Sequence, residues 1–283
     1  MQEILNPNLR SQEKAALDGL PLDVTSEIFL LALGCGRVPL KGEGSALILS
    51  HVCGWWRNVS LAVPRMWSTF HVDMEHDSLA LMETYLLRSQ KHPLSISLWP
   101  TKRQDAYLLG AIQPFIQSLK QHAEQWQDME FTLPSTAILA IEHVDCPNLR
   151  SLALNVTGRT PSYSMGSQSD SRSSLSLAHR LPLLTAVVLN LAPSIVSPPP
   201  TLPWSKITKL EGNLTSDMAT QVLMEAVLLK ECQLTIYGDV HSGLVSSSIH
   251  LPHLQVLHLF SRQGAAVELM VKLDAPQLET MSL

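Results

Sequence analysis

Hydrophobic residues recur with two different periods along the chain. In "LPLDVTSEIFLLAL" and "SALILSHVCGWWRNVSLAVP", near the N-terminus, apolar residues recur every three or four positions, which predicts amphipathic helices. Residues 34–44, "GCGRVPLKGEG", predict the loop between them, because glycine and proline interrupt helices. Pro21 suits the first turn of the first helix, and Gly54 can divide the second stretch into two short helices.

From about residue 126 onward, the chain repeats a short core of the form P-x-L-x-x-φ-x-L, in which φ is apolar. Clear copies are "CPNLRSLAL", "LPLLTAVVL", "LPHLQVLHL" and "APQLETMSL", and less perfect copies are "QWQDMEF", "KITKLEG" and "LLKECQL". Successive cores are 23, 35, 23, 22, 25 and 24 residues apart. A period of about 20–29 residues is typical of leucine-rich repeats. The first apolar residues of these repeat cores are Trp126, Leu149, Leu184, Ile207, Leu229, Leu254 and Leu278.

The repeat cores predict a stack of similar structural units. Each core is expected to form a short strand of a parallel sheet, and the helical patterns "DAYLLGAIQPFIQSLKQH" and "SDMATQVLMEAVLL" are expected to cover its outside. A single repeat cannot bury its leucines alone, so the stack shares one continuous core. The segment "HPLSISLW" resembles an earlier, irregular copy. The alternative is an ordinary α/β domain whose leucine spacing arises by chance.

A serine-rich segment and the position of the last core lead to two further predictions about the repeats. The step of 35 residues contains "TGRTPSYSMGSQSDSRSSLS", so residues 157–176 are interpreted as a serine-rich insertion. This insertion is either a flexible loop that tolerates changes in length or a segment controlled by phosphorylation. The last core ends at Leu283, so we expect a stack without a terminal cap, either because the chain is shortened or because a partner covers the edge.

Composition narrows the function classes. Of the 283 residues, 45% are hydrophobic and 16% are charged, and the net charge of −5 comes without the basic cluster that nucleic acid would require. Neither a signal peptide nor an apolar run of about 18 residues occurs, so we expect no membrane association and a location in the cytoplasm, the nucleus or both. The four cysteines predict neither a disulfide framework nor a zinc site, because no C-x-x-C pair occurs. They are Cys35, Cys53, Cys146 and Cys232.

Residues 20–67 contain an ordered series of motifs. The series comprises Leu20-Pro21, Glu27-Ile28-Phe29, Val52-Cys53, Trp56-Arg57 and Pro64-Arg65-Met66-Trp67. In order and spacing it resembles the F-box. Together with the degenerate repeats and the segments "WRNVSLAVPRMWSTF" and "LLRSQKHPLSISL", the chain resembles the large F-box families of mushroom-forming (basidiomycete) fungi.

The resemblance implies both a fold and a function. It implies an α/β chain with an N-terminal extension at 1–17, a small all-α F-box at 18–70, a connecting helix at 71–92 and an irregular leucine-rich-repeat solenoid with a short-stranded parallel sheet at 93–283. F-box proteins dock on the Skp adaptor of cullin–RING ubiquitin ligases and present a protein substrate through their repeats. The chain is therefore expected to be a non-enzymatic substrate-recognition subunit without a cofactor. The expected adaptor-binding residues are Leu20, Pro21, Val24, Ile28, Leu49, Val52, Cys53 and Trp56.

Some residues depart from the F-box pattern. Asp23-Val24 replaces the usual acidic-isoleucine pair, and Gly54 and Trp55 stand where basic or small polar residues are common. Three alternative functions remain: an F-box and adaptor complex used outside ubiquitin ligases, a repeat scaffold whose N-terminal segment is a cap, and an unrecognised hydrolase. The apolar helical face can also pack on the protein's own repeats instead of on a partner.

Sequence motifs for catalysis do not occur. The chain contains neither G-x-S-x-G, nor G-x-x-x-x-G-K-[ST], nor G-x-G-x-x-G. His250 and His253 flank the dipeptide "LP" outside any predicted helix. Cys232 or His258 could complete a metal site with them only if the fold happened to bring these side chains together. These histidines are interpreted as residues of repeat turns. The carboxylates interpreted as a helix cap and a solvated position, and not as an acid–base pair, are Asp217 and Glu225.

Substrate recognition is the least readable feature of the sequence. Solenoids bind partners along the exposed strand face or at its edge loops. The outward positions of the clear cores are mixed and mildly apolar, with no single charge sign, which favours a protein partner over a phosphate or nucleic acid. These positions are Arg150, Ser151, Ala153, Thr185, Ala186, Val188, Gln255, Val256 and His258.

The adjacent residues Trp55 and Trp56 are expected to lie in different surroundings, since neighbouring residues of a helix point about 100° apart. Trp56 continues the apolar stripe of Leu49, Val52 and Cys53. We therefore expect it to pack against Leu20, Ile28 and the adaptor together. Trp55 is expected against the start of the repeats or in partial contact with water.

Overall fold

The computed structural model describes residues 19–34, 36–99, 108–142, 144–157, 181–191, 199–237, 248–261 and 265–283. The α-helices in these residues are α1 (Leu22–Leu33), α2 (Ala46–Val52), α3 (Gly54–Ala62), α4 (Leu79–Ser89), α5 (Leu108–Lys120), α6 (Ser216–Glu225) and α7 (Ala265–Val271). The strands are β1 (Val38–Pro39), β2 (Thr69–Asp73), β3 (Leu94–Trp99), β4 (Trp126–Pro134), β5 (Ser151–Thr157), β6 (Ala186–Asn190), β7 (Lys209–Thr215), β8 (Glu231–Tyr237), β9 (Ile249–His250), β10 (Val256–Ser261), β11 (Leu273–Asp274) and β12 (Thr280–Ser282).

The predicted α/β class and the predicted parallel sheet are confirmed. Ten strands follow one another in the order β1-β2-β3-β4-β5-β6-β7-β8-β10-β12, while β9 and β11 form a separate two-stranded sheet. The chain divides into two compact units. The N-terminal unit comprises Met1–Val72 and Asp77–Ile96, and the repeat unit comprises Asp73–His76 and Ser97–Leu283.

The N-terminal unit contains more strand than the sequence predicts. The buried residue Val38 belongs to the short strand β1, inside the segment predicted as a loop, and pairs with Phe70 of β2. The predicted connecting helix at 71–92 is shorter in the structure, where α4 covers Leu79–Ser89. This helix begins after Ser78, whose side chain accepts a hydrogen bond from the backbone N–H of Leu81, as is typical of an N-cap.

Aromatic residues form the core of the N-terminal unit. The Trp67 side chain is fully buried and donates its indole N–H to the Ser60 carbonyl at 2.8 Å. The Tyr85 ring packs edge-on against Trp67 and Phe70, with centroids 4.9 and 5.2 Å apart. The Arg88 guanidinium lies 4.4 Å from the Trp67 ring centre in a cation–π contact. Burial raises the pKa of the Tyr85 hydroxyl to about 12.

The repeat cores form neighbouring parallel strands in the predicted register. Asp128 of β4 pairs with Ser151 of β5, which pairs with Ala186 of β6, and the series continues through Lys209 and Glu231. Strand β10 then joins β8, and β12 joins β10. The offsets between paired residues equal the spacing of the cores in the sequence, including the single step of 35 residues. The insertion therefore leaves the pairing of β5 with β6 unchanged.

A repeated hydrogen-bond pattern joins successive repeats just before each strand. The Arg150 carbonyl accepts the backbone N–H groups of Thr185 and Ala186, each at 3.0 Å. The Thr185 carbonyl in turn accepts those of Thr208 and Lys209, at 2.8 and 3.1 Å. We call this series of doubly accepting carbonyls the carbonyl spine, because each repeat binds the next through the same backbone groups. Its members are Arg150, Thr185, Thr208, Lys230 and Gln255.

Side chains alternate between the two faces of the repeat sheet. Residues such as Leu154, Leu189 and Leu234 are buried on the inner face, whereas their neighbours in sequence lie on the opposite, open face. Gly212 occupies the inner-face position of β7, with φ +145°, directly beside Leu189. A Cβ atom there would lie 1.9 Å from the Leu189 carbonyl oxygen, so the close approach of the two strands requires glycine.

Helix α6 lies at the second predicted helical pattern, but its N-cap is not Asp217. Thr215 occupies the N-cap position, and its hydroxyl accepts a hydrogen bond from the Met218 N–H at 3.4 Å. Asp217 lies in the first turn, where its negative charge interacts favourably with the positive end of the helix dipole. Glu225 is exposed in the last turn. Helix α5 also lies at its predicted position, with Pro114 inside it.

Several predicted features lie outside the described residues. They are the N-terminal extension at 1–17, Cys35 and, apart from Thr157, the serine-rich insertion at 157–176. At the other end of the described part of the sheet, β12 pairs with β10 only, and Met281 and Leu283 are 41% and 66% exposed.

Candidate protein-binding surface

Helix α1 has one buried face and one exposed apolar face. Thr25 and Phe29 are 0% and 1% exposed and point into the N-terminal unit. Val24, Ile28 and Leu31 lie one turn apart on the other side and are 42%, 39% and 75% exposed. We call these three residues the α1 patch. Large apolar side chains that stay exposed along one helix face are typical of an interaction site.

Helix α2 repeats this arrangement over a shorter length. Ala46 and Ser50 are buried, and Ser50 donates its hydroxyl to the Leu47 carbonyl at 2.7 Å. One turn apart on the exposed side, Ile48 and Val52 are 46% and 44% exposed. These two residues form the α2 patch. Helix α3 packs against both α1 and α2, so both patches belong to one three-helix arrangement.

An open groove of about 480 Å³ lies beside the α2 patch. Helix α2 forms one wall with Leu47, Ile48 and Val52, and the preceding loop contributes Gly42 and Ser45. Gly42 has φ +83°, a backbone conformation that favours glycine, and the loop turns sharply there before α2 begins. The glycine-rich loop thus leaves the apolar side of α2 uncovered.

The predicted division of the second helical stretch is confirmed, and the break lies at Cys53. This residue has an extended backbone, with φ −157° and ψ 173°, between the end of α2 and the start of α3. Its sulfur accepts a hydrogen bond from the Trp56 N–H at 3.5 Å and acts as the N-cap of α3. The predicted stripe from Leu49 to Trp56 is therefore interrupted, since its residues lie on two helices with different axes.

The paired tryptophans are both half-buried, which agrees with the partial exposure expected for Trp55, and the surroundings of Trp56 match part of the expectation. The Trp56 ring packs on Phe29, with ring centres 4.7 Å apart and planes inclined by 49°. Its aromatic partner is therefore the buried residue next to Ile28 in the sequence. This contact joins α3 to α1 and fixes the position of the α1 patch relative to α3.

The eight predicted adaptor-binding residues differ in exposure. Pro21, Val24, Ile28 and Val52 are exposed, whereas Leu20, Leu49, Cys53 and Trp56 are half-buried. Pro21 lies at the N-cap of α1 rather than inside the first turn, and its carbonyl accepts the Thr25 N–H at 3.1 Å. The predicted set misses the exposed apolar residues Leu22, Leu31, Ile48 and Leu61 of helices α1 to α3.

A sequence signal exists for two of the missed residues. Leu31 continues the i, i+4, i+7 series of Val24 and Ile28, and Ile48 precedes Val52 by one helical turn. Helical spacing alone does not reveal which apolar stripe of a short helix faces water. The structure resolves this point, because Phe29 and Thr25 occupy the inner face of α1.

The predicted outward positions of the repeat cores lie on or beside the open face of the sheet. Ser151, Ala153, Ala186 and Val188 are half-buried members of the open face in β5 and β6. Val256 and His258 have the same placement in β10, whereas Arg150, Thr185 and Gln255 precede their strands and are exposed.

The histidines and cysteines considered as metal ligands are separated by the sheet. Cys232 is fully buried on the inner face, while His258 lies on the open face and hydrogen-bonds to Ser282. His250 pairs instead with Asp274 of β11 at 2.7 Å. Within the described residues, no group of three or more histidine, cysteine, aspartate or glutamate side chains could hold a metal ion. Burial raises the pKa of the Cys232 thiol to about 12.

Comparisons with family models, with curated proteins and with solved structures gave no match to this chain. Of the helices in the described ranges, none is both long enough and apolar enough to cross a membrane. Any function must therefore be argued from the sequence motifs and from the exposed surfaces of the two units.

Proposed function

We propose that this protein is a non-enzymatic substrate-recognition subunit of a Skp–cullin–F-box ubiquitin ligase, acting in the cytoplasm, the nucleus or both. In this proposal the helices of the N-terminal unit bind the Skp adaptor, and the repeats bind a protein substrate. The observation that carries it is the exposure of the α1 and α2 patches, at motif positions that resemble the F-box.

The chemistry of the two patches favours a protein partner. Both patches consist of aliphatic side chains on helices, and burying one such side chain contributes about 1.5–3 kcal/mol. The five residues Val24, Ile28, Leu31, Ile48 and Val52 remain 39–75% exposed in the whole chain.

The repeat unit supplies the second part of the proposal. Its inner face is a continuous row of buried leucine, valine and isoleucine residues, and its open face extends across the seven neighbouring strands β4 to β8, β10 and β12. A broad, regular surface of this kind suits recognition of a protein better than catalysis on a small molecule.

Co-purification with the adaptor tests the proposal directly. The full chain is co-expressed with a Skp adaptor, and the double variant V24D/I28D and the single variant V52D are compared with wild type. We expect the wild-type complex to be stable and each variant to lose at least about 2 kcal/mol, or roughly thirtyfold in affinity, because a charge replaces a buried apolar contact. The matched control is Leu87→Asp, which alters a 78% exposed leucine on α4.

Folding and cullin recruitment complete this test. Far-UV circular dichroism and urea unfolding should be unchanged in all variants, since the altered residues are exposed. Failure of folded wild-type protein to bind the adaptor would refute the proposal. Adaptor binding without cullin recruitment would instead favour the alternative of an F-box complex used outside ubiquitination.

A further inference from the structure

The glycine-rich loop before α2, residues 36–45, is attached to the rest of the N-terminal unit at three points. The first attachment is strand β1, which lies inside this loop and pairs with β2. The His71 side chain of β2 adds a contact there, since its Nδ1 atom lies 3.3 Å from the Arg37 carbonyl oxygen. The beginning of the loop is therefore held by the sheet.

The second attachment is a buried hydrogen bond in the middle of the loop. The hydroxyl of Tyr85, on α4, donates to the Leu40 carbonyl at 2.9 Å. Both residues are 0% exposed, so water does not compete for this bond in the folded chain. The Tyr85 ring is itself held by its contacts with Trp67 and Phe70. A buried carbonyl that loses its donor is costly, so the bond ties the position of the loop to that of α4.

The same hydroxyl lies beside the beginning of α2. Burial raises the pKa of Tyr85 to about 12, and the backbone groups of Leu47 and Ala46 counteract part of this rise. These two residues belong to the first turn of α2, where backbone N–H groups have no partner within the helix. A single side chain of α4 thus contacts both the loop and the helix that follows it.

The third attachment is an ion pair next to the buried bond. The Lys41 ammonium group lies 3.6 Å from a carboxylate oxygen of Asp77, which directly precedes the N-cap residue of α4. The Asp77 side chain is 6% exposed and the Lys41 side chain 53% exposed. Because water screens the lysine, the Tyr85 hydroxyl makes the more protected of these two attachments.

The attached loop and α2 together form the groove beside the α2 patch. Gly42 and Ser45 line it from the loop, and Leu47, Ile48 and Val52 line it from the helix. The Ser45 N–H donates to the Gly42 carbonyl at 3.1 Å, which closes the turn into α2. Glycine-containing segments have many accessible conformations, so a groove of fixed shape requires that this loop be held in place.

We propose that Tyr85 is a positioning residue that holds the glycine-rich loop and the start of α2 in the arrangement to which the adaptor binds. The assignment rests on the proposed function for the identity of that partner. A binding surface that is already ordered loses less conformational entropy when the partner docks. Removal of the hydroxyl should therefore weaken binding, although Tyr85 is buried and cannot contact the partner.

Tyr85→Phe in the full chain tests this role, because it keeps the aromatic ring and removes only the hydroxyl. We expect the affinity for a Skp adaptor, measured by biolayer interferometry, to fall about fivefold, as is typical for the loss of one hydrogen bond. The matched control is Thr84→Val. It removes a hydroxyl of the same helix that donates to the Ala80 carbonyl at 2.8 Å, within α4. This control should change the affinity by less than about twofold.

Hydrogen–deuterium exchange of the free protein supplies a measurement that does not depend on the adaptor. In Tyr85→Phe, backbone N–H groups of residues 36–52 should exchange about fivefold faster, because the loop and the start of α2 open more often. Exchange in α1 should stay unchanged, and Thr84→Val should resemble wild type in both regions. A general loss of stability would instead accelerate exchange throughout the N-terminal unit.

Each outcome decides a separate point. Unchanged adaptor affinity of Tyr85→Phe, or a rise in exchange that is equal in α1 and in residues 36–52, would overturn the assignment. If wild-type protein bound no adaptor while Tyr85→Phe still showed the local rise in exchange, the ubiquitin-ligase proposal would fail. The role of Tyr85 in ordering the groove would then stand without the adaptor as its partner.

Discussion

In the N-terminal unit the exposed faces of α1 and α2 are apolar, whereas in the repeat unit the open face of the sheet mixes polar side chains with small apolar ones. Ile28 and Leu31 remain 39% and 75% exposed, while Leu154 and Leu234 are 2% and 0% exposed. Both regions have a regular apolar pattern in the sequence. The comparison shows that an apolar periodicity in the sequence predicts which side of a helix or strand is apolar. Whether that side is buried depends on the elements that pack beside it.

The physical reason is the number of neighbours available to each element. In the repeat unit every strand has a partner of the same pattern on each side, except at the ends of the described sheet, so leucines meet leucines across the register. The helices of the N-terminal unit are short and few, and α3 packs against one side of both α1 and α2. Their remaining apolar sides stay open to a partner.

Thiol reactivity should show the largest difference between the units. Burial raises the pKa values of Cys146 and Cys232, in the repeat unit, from 9.0 to about 12, whereas Cys53 in the N-terminal unit is half-exposed. Burial disfavours the thiolate, which is the reactive form, and limits access of the reagent, so alkylation of the two buried thiols should be much slower than that of Cys53. Mass spectrometry after iodoacetamide treatment measures the rate at each cysteine.

The alkylation rate of the buried thiols should increase with pH. Alkylation of Cys232 should accelerate as the pH rises, because more of the thiol is then ionised. Unfolding in urea should remove the difference among the cysteines. Rapid labelling of Cys232 in native protein at pH 7 would show that the inner face of the repeats opens.

Truncation of a core side chain should have the next largest effect. Trp67→Ala removes a fully buried ring that contacts Tyr85 and donates a hydrogen bond to Ser60. We expect the free energy of unfolding to fall by about 3–5 kcal/mol in urea titration. Leu31→Ala, at a 75% exposed position of the same unit, is the control and should change it by less than about 0.5 kcal/mol.

Alanine variants of the two adjacent tryptophans test which of them supports the proposed binding surface. Trp56→Ala should abolish adaptor binding, because its ring packs on Phe29 and supports the α1 patch, with a loss of about 2 kcal/mol or more. Trp55→Ala should weaken binding much less. Affinity is measured on co-expressed, purified complexes, with circular dichroism to check folding and Trp56→Phe to test whether an aromatic ring suffices. Equal losses for the two alanine variants would contradict this assignment.

Two glycine-to-alanine substitutions should change the free energy of unfolding in opposite directions. Gly212→Ala places a Cβ atom against the Leu189 carbonyl and should destabilise the repeat unit by about 1–3 kcal/mol. Gly110→Ala, in helix α5 with nothing within 4 Å of the added atom, should stabilise by up to about 1 kcal/mol. Thermal and urea unfolding measure both. A neutral Gly212→Ala variant would mean that β6 and β7 separate easily.

Deletion of residues 160–174 should have the smallest effect. Strands β5 and β6 pair in the same pattern as strands only 22–25 residues apart, so the insertion is not needed for the register. Stability depends only weakly on loop length, and we expect a change below about 1 kcal/mol with adaptor binding intact. A loss of several kcal/mol in urea unfolding would assign these residues to the core.

The sequence predicted the architecture of the repeat unit better than its surface. Leucine spacing predicted the strand order and offsets, because each core is a local pattern repeated at a nearly constant step. The placement of acidic residues on the open face escaped prediction, since Asp128, Glu130, Glu211 and Glu231 belong to the less perfect cores. Their common face becomes visible only when the strands are in register.

In the N-terminal unit the helices were predictable and their packing was not. The motif positions indicated Val24, Ile28 and Val52, all of which are exposed. The break at Cys53 interrupts the stripe that connected Leu49 with Trp56, because an extended residue changes the direction of the helix axis. A periodic pattern carries no information on such a break.

The carbonyl spine has a mechanical consequence. Because the spine bonds and the strand ladder join each repeat only to its neighbours, a force that separates two repeats would load the hydrogen bonds of that one junction. The repeats would then detach one at a time, and each detachment would release a similar length of chain. The junction between β5 and β6 would release about a dozen residues more than its neighbours, since its step is 35 residues and theirs are 22–25.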